Sequence, residues 1–415
     1  MIIGKIAEKE IDGAIQLAAP ITLCGETRTC FYTIPIEYAD LLDTSRSDSF
    51  LLSLVTAAML AGEDIQVEGK VSERLFYQLC DTIIPVMNVF NPRYRIISLK
   101  AEELSSKRHV SAQQRGIGTG LSGGIDSFTC IWNHFIKPPS DEHKVTHFFF
   151  FNVGAHGMAH SDADLKKIED KFRARYQQMK ITANELGLPL IPVNSNVHSF
   201  FQVGHLENCS FVSPGAALLM QRGIGRYYLA SDGQTFHDKY HRLANLREQW
   251  DVAMIDPLTV PYMSTENMRF EPTETHLSRI QKTMLVADFE VARRHLNVCS
   301  NYDAMEYNCS CCEKCLRTLT TLEIIGKIDS FAKVFDLDVY RKQARKHYFA
   351  KVIARQNKEL YYHGIMAAAK ERGFDLREHT TFPALLWEHF KDSALHNALR
   401  KIPGLRSVVQ KLKRL

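Results

Sequence analysis

No stretch of the 415-residue sequence reaches the roughly 18 uninterrupted apolar residues of a membrane span. Its first residues, MIIGKIAEKEIDG, lack the basic start, apolar run and small-residue cleavage site of a secretory signal. The chain is therefore expected in the cytoplasm. Neither sign of charge is in large excess. A formal net charge of +4, with Lys and Arg clustered only in the last residues, gives no argument for nucleic acid. Internal repeats, low-complexity tracts and a glutaminase signature are absent, and so is the GxxxxGK[ST] lysine of a Walker loop. What remains is ordinary globular material: 45% hydrophobic and 24% charged residues, at a length that suits two or three domains.

The ten cysteines do not read as a disulfide framework, because a reducing compartment keeps thiols free; they point to metal binding or catalysis. Cys24, Cys30, Cys80, Cys130 and Cys209 are scattered, whereas five more lie between Cys299 and Cys315.

Residues 1–105 read as a small α+β domain: a strand at FYTIPIEY, an apolar helix over Phe50 to Ala61, a strand at DIQVEG, a helix from Ser72 and a strand at YRIISL. The polar stretch from Ala101 to Arg115 reads as a linker. From residue 106 to 330 strands alternate with helices (GIGTG, THFFFFN, a helix over Asp164 to Leu186, LPLIPVN, RYYLAS), the pattern of an α/β, doubly wound parallel sheet. Residues 331–415 form a helical, basic extension ending in IPGLRSVVQKLKRL, expected to pack on the body rather than on a membrane.

Between the first strand of this sheet and its helix lies Ser122-Gly123-Gly124-Ile125-Asp126-Ser127. Glycines let the backbone turn tightly against an anion, and the loop amides point at it. Ser122 and Ser127 can add hydroxyl donors and Asp126 can hold Mg2+, with Asp126 and Ser127 expected on a solvent-facing loop. Asn152 and Gly154 close the second strand of this sheet. His156 and His160 are loop histidines, and Asp232 is placed to bind magnesium or substrate. Arg279 and Lys282 are cations suited to charge building up on phosphate, or simply helix-surface cations, and Lys314 and Arg317 flank the last of the clustered cysteines. Cys299, Cys309, Cys312 and Cys315 can wrap one ion as a tetrahedral thiolate site, zinc before an iron–sulfur cluster, with Cys311 a bystander. Four protein ligands leave no open position, so this metal reads as structural.

The loop resembles the SGGxDS signature of the PP-loop ATP pyrophosphatases. Together with C-x9-C-x2-C-x2-C it is similar to the 7-cyano-7-deazaguanine synthases over about Gly116 to Leu322. The string NCSCCEKCLRT also resembles PP-loop proteins associated with surface-polysaccharide synthesis. The resemblance implies ATP cleaved between its α and β phosphates, with Ser122, Gly123, Gly124, Asp126 and Ser127 around the leaving pyrophosphate and Asn152 and Gly154 against the adenine base. It further implies a substrate carboxylate activated as an adenylate for attack by ammonia or another nucleophile. The catalytic set is then Asp126, Ser127, Asp232 and Lys282; the cofactors are ATP, Mg2+ and Zn2+. The partners are a small-molecule sugar or purine derivative, a protein that supplies ammonia or another pathway step, and a second copy of the chain as a homodimer. Two alternatives stay open: sulfur transfer to tRNA or a small molecule, for which Cys209 is the available thiol, and a nucleotide-binding module without catalysis.

Overall fold

The computed structural model describes residues 1–108, 115–157, 162–245, 251–299 and 308–391. These fall into two compact units, Met1–His276 and Leu277–Leu415. The first is α/β and is built on a mixed sheet of 11 strands. The strands are β1 (Ile2–Ile3), β2 (Ala7–Ile11), β3 (Ala14–Leu23), β4 (Glu26–Pro35), β5 (Ile65–Ser72), β6 (Leu99–Ser105), β7 (Gly116–Gly120), β8 (His147–Asn152), β9 (Leu190–Ser195), β10 (Ile224–Ala230) and β11 (Arg269–Thr273).

The last five run parallel in the order β9-β8-β7-β10-β11. Phe148, Phe149 and Phe150 of β8 are all buried, which is why this strand reads as a continuous apolar run and not as an alternation. Strand order reverses at β7: β8 and β9 continue to one side, β10 and β11 to the other. In open sheets with this order, ligands bind outside the carboxyl ends at the reversal.

The N-terminal strands extend the same sheet. The β2–β3 hairpin turns at Asp12-Gly13 (φ 48° and 75°) and the β3–β4 hairpin at Cys24-Gly25 (φ 53° and 79°). Two successive left-handed residues match the right-handed twist of paired strands. Strand β4 then pairs antiparallel with β9, Tyr32 opposite Ser195 and Thr33 opposite Asn194. The expected boundary at residue 105 therefore falls inside this unit. Ala101–Ser105, read as linker, belongs to β6, and residues 109–114 lie outside the described residues. The strand expected at YRIISL begins only at Leu99; Tyr94 is instead buried, its hydroxyl donating to the Glu207 carbonyl at 2.7 Å.

The helix Asp48–Ala61 is buried from Asp48 to Met59, which explains why its sequence is mostly apolar with no polar face. Helix Cys209–Leu218 packs on it so closely that a β-carbon at Gly215 would lie 2.0 Å from Ser53 Oγ and 3.0 Å from the Ser49 carbonyl. Ser53 Oγ also accepts from the Tyr32 hydroxyl at 2.7 Å, tying that helix to β4.

The second unit is helical where it is described, with helices Arg279–Ala287, Glu290–His295, Glu313–Ile324, Arg345–Arg355, Leu360–Glu371 and Phe382–Lys391. The division between His276 and Leu277 groups the clustered cysteines with the C-terminal helices. The tail IPGLRSVVQKLKRL lies outside the described residues. Among the described residues no helix is long and apolar enough to cross a membrane.

Candidate active site and metal centre

The glycine loop leaves the carboxyl end of β7, the strand at which the order reverses. Gly123 has φ 79°, a conformation that favours glycine, and Gly124 is extended (φ −84°, ψ 170°) as it enters the helix Ile125–Ile131. The loop braces itself. Ser122 Oγ donates to Ser127 Oγ at 3.3 Å, Ser127 Oγ donates to the Gly124 carbonyl at 3.0 Å, and the Gly124 amide donates to Ser122 Oγ at 3.4 Å. Ser122 is exposed and Asp126 half-buried, but Ser127 is only 4% exposed. This corrects the expectation of a solvent-facing Ser127: its hydroxyl helps to set the loop's shape.

One cation at this loop has no signature in the local sequence. Arg175, in the middle of the long helix Asp162–Leu186, reaches back so that Nη2 donates to the Ser122 carbonyl at 3.3 Å. Lys171 lies one turn earlier on the same helix.

Beside the loop, β8 ends at Asn152, which is 2% exposed. Its Nδ2 donates to Asn194 Oδ1 at 2.7 Å, while its own Oδ1 is buried without a hydrogen-bond partner. Gly154 (φ 121°) makes room for its neighbours: a β-carbon there would lie 2.9 Å from His205 Nδ1 and 3.5 Å from the His198 side chain. His156 is held far below the usual imidazole range, at about 3, by burial first and then by Arg175, His205, His198 and Lys171. Burial lowers His198 to about 4. Both rings are neutral at pH 7, so neither is an acid there. His156 Nδ1, both ring nitrogens of His198 and both amide atoms of Asn208 are buried without hydrogen-bond partners. Such a concentration of unpaired buried polar atoms is unusual for a structural core. His160 lies outside the described residues.

Asp232 follows β10, and the parallel pairing of β10 with β7 brings it to the same edge of the sheet. Its Oδ1 accepts from the Gln234 amide at 3.1 Å and lies 3.1 Å from Nζ of Lys239, a lysine 1% exposed. Lys239 also donates to the Ala253 carbonyl at 2.6 Å. Asp256 belongs to the same group. Burial pushes its carboxyl up to about 7, opposed by Lys239 and Ser210 and reinforced by Asp232 and Asp251. Lys239 has no signature in the sequence, and the shift at Asp256 depends on side chains brought together from separate elements.

In the second unit the sulfur atoms of Cys299, Cys309, Cys312 and Cys315 lie within 4.8 Å of one another. Three of their separations are 3.9 Å (Cys299 to Cys312), 3.9 Å (Cys309 to Cys315) and 3.4 Å (Cys312 to Cys315). Four sulfurs about 2.3 Å from a tetrahedral zinc stand about 3.8 Å apart, so the cluster can hold a metal ion such as zinc. Asn308 positions it: Oδ1 accepts from the amides of Val298 (2.8 Å) and Cys299 (3.1 Å), and Nδ2 donates to the carbonyls of Leu296 (2.8 Å) and Val334 (2.9 Å). The Cys312 amide donates to Cys309 Sγ at 3.3 Å. Cys311 is exposed and outside the four-sulfur group.

Of the residues expected in one site, the first unit brings Ser122 to Ser127, Asn152, Gly154 and Asp232 to one edge of the sheet. Lys282, wholly buried, and Arg279 stand on the helix Arg279–Ala287 of the second unit. No family model matches the sequence, and neither a curated protein nor a solved structure matches it.

Proposed function

We propose that this chain is an ATP-dependent adenylating enzyme of the PP-loop type that releases pyrophosphate and transfers AMP to a substrate carboxylate. The observation that carries this reading is the Ser122–Ser127 loop, with its signature glycines, at the carboxyl end of the strand where the parallel order reverses. The neighbourhood supports it: Arg175 and Lys171 supply positive charge for a departing pyrophosphate. Asp126 and Asp232 are carboxylates suited to Mg2+, which would neutralise the phosphates.

The substrate carboxylate attacks the α phosphorus as the bond to the β phosphate breaks; ammonia or another nucleophile then attacks the acyl carbon and AMP departs. Asp256, held near neutrality beside Asp232, is suited to accept the nucleophile's proton. The unpaired atoms of His156, His198 and Asn208 suit a polar acceptor, a sugar or purine derivative, bound alongside ATP. Zinc in the four-cysteine site stabilises the second unit. Sulfur transfer is disfavoured because burial, with Asp256 and Asp251, pushes the Cys209 thiol up and away from the reactive thiolate.

The test is product analysis with ATP labelled at the α phosphate, in the presence of Mg2+ and candidate acceptors. AMP and pyrophosphate are expected, and Asp126→Asn should lower AMP formation by on the order of 10²-fold. ADP as the main product, or undiminished AMP from the variant, overturns the proposal.

A further inference from the structure

The first unit holds a second group of metal-ligating side chains, two of them on the helix that leaves the glycine loop and its continuation. Cys130, His134 and Glu274 each offer one ligand atom, and the three atoms lie within 4.8 Å of one another. Cys130 is on helix Ile125–Ile131, His134 on the π turn Trp132–Ile136 that continues it, and Glu274 directly follows β11.

Several features single this group out from an ordinary buried ion pair. Glu274 has φ 53°, a backbone conformation that costs a side-chain-bearing residue energy, and it is 5% exposed. The π turn changes the helical register that aims His134, whose ring packs against Tyr228 with centroids 4.3 Å apart and the planes inclined at 33°. Nε2 of His134 is 2.9 Å from Glu274 Oε1, and Nδ1 is buried without a hydrogen-bond partner. The surroundings steer the other two groups: Thr273 Oγ1 donates to Glu274 Oε2 at 2.5 Å, Asn133 Nδ2 donates to Glu274 Oε1 at 3.3 Å, and the hydroxyls of Thr273 and Thr119 lie 3.6 and 3.3 Å from Cys130 Sγ.

We infer that Cys130, His134 and Glu274 form a second metal site that takes a borderline divalent ion, zinc first. Thiolate, imidazole and carboxylate are the donors such ions share, and one thiolate with one carboxylate neutralises a dication, so no net charge is left buried. On binding, Cys130 releases its proton to solvent and His134 binds as the neutral imidazole. Three protein ligands leave a fourth position for water, unlike the four-cysteine site. The ion fastens the helix behind the glycine loop to the end of β11.

The experiment is equilibrium dialysis of the full chain against buffered zinc, with bound metal counted by mass spectrometry and folding followed by circular dichroism. About two zinc ions per chain are expected, falling to about one in Cys130→Ser and in Glu274→Gln, while Cys309→Ser loses the other ion and keeps this one. Cobalt in the Cys309→Ser protein should show the weak charge-transfer band of a single thiolate. A wild-type chain that saturates at about one zinc, or folded Cys130→Ser and Glu274→Gln proteins that both still bind about two, overturns the assignment. Because metal is counted without ATP, this result is independent of the adenylation reading.

Discussion

Arg175 Nη2 donates to the Ser122 carbonyl oxygen at 3.3 Å, so a residue more than fifty positions downstream braces the glycine loop from outside. If its guanidinium also meets the β and γ phosphates, Arg175→Ala should raise the KM for ATP roughly ten-fold or more, the value of one lost hydrogen bond to a charged group. Arg175→Lys should restore part of it. A variant with unchanged ATP kinetics would leave Arg175 as a brace only.

Loss of one cysteine ligand should have the opposite profile. Cys309→Ser and Cys312→Ser remove a sulfur from a group within bonding reach of one ion. A structural zinc contributes folding energy directly, so these proteins should lose that metal and become less soluble or less stable. Retention of that zinc by both variants would contradict the assignment.

Gly215→Ala tests the packing of helix Cys209–Leu218 on helix Asp48–Ala61. The added carbon would fall 2.0 Å from Ser53 Oγ, too close for any contact, and the nearby Ser49 carbonyl at 3.0 Å limits relief. A destabilisation of about 1–3 kcal/mol is expected by denaturant titration, in line with overpacked cores. A double variant with Ser53→Ala should recover part of it.

Asp256→Asn gives a pH-dependent outcome. Burial raises the native carboxyl to about 7 from its unfolded value of 3.8, so the folded state holds the proton more tightly. Stability from that group is complete below the unfolded value and is lost as pH rises towards 7. The melting temperature of the variant relative to wild type should therefore climb between pH 4 and 7 and level off above, as followed by calorimetry. A difference that is flat across this range would show that Asp256 carries no such strain.

Much of this was legible in the sequence, for physical reasons that differ from element to element. The uninterrupted FFFF of β8 could only be a strand covered on both faces, and Gly123 and Gly124 marked the turn after β7. Strand β11 was missed because RFEPT is short and carries a proline, which an edge position tolerates. Hairpin turns at Asp12-Gly13 and Cys24-Gly25 were readable in principle, the first as an Asp-Gly pair, but β2 and β3 are too polar or too long to show a clean period. The cysteine spacing announced its cluster because four ligands lie within seventeen residues. Arg175, Lys239 and the Cys130–His134–Glu274 group were silent, since each depends on partners distant in the chain.

The antiparallel seam between β4 and β9 decides what can be cut from this protein. With the first hundred residues removed, β9 would become the outermost strand, presenting the amides and carbonyls that now pair with Tyr32 and Thr33 beside the buried apolar side chains of Ile191 and Val193. An open strand of that kind recruits other chains. A fragment beginning near residue 106 should thus aggregate even with its glycine loop intact, and the N-terminal hairpins act as a permanent selvedge on the parallel weave.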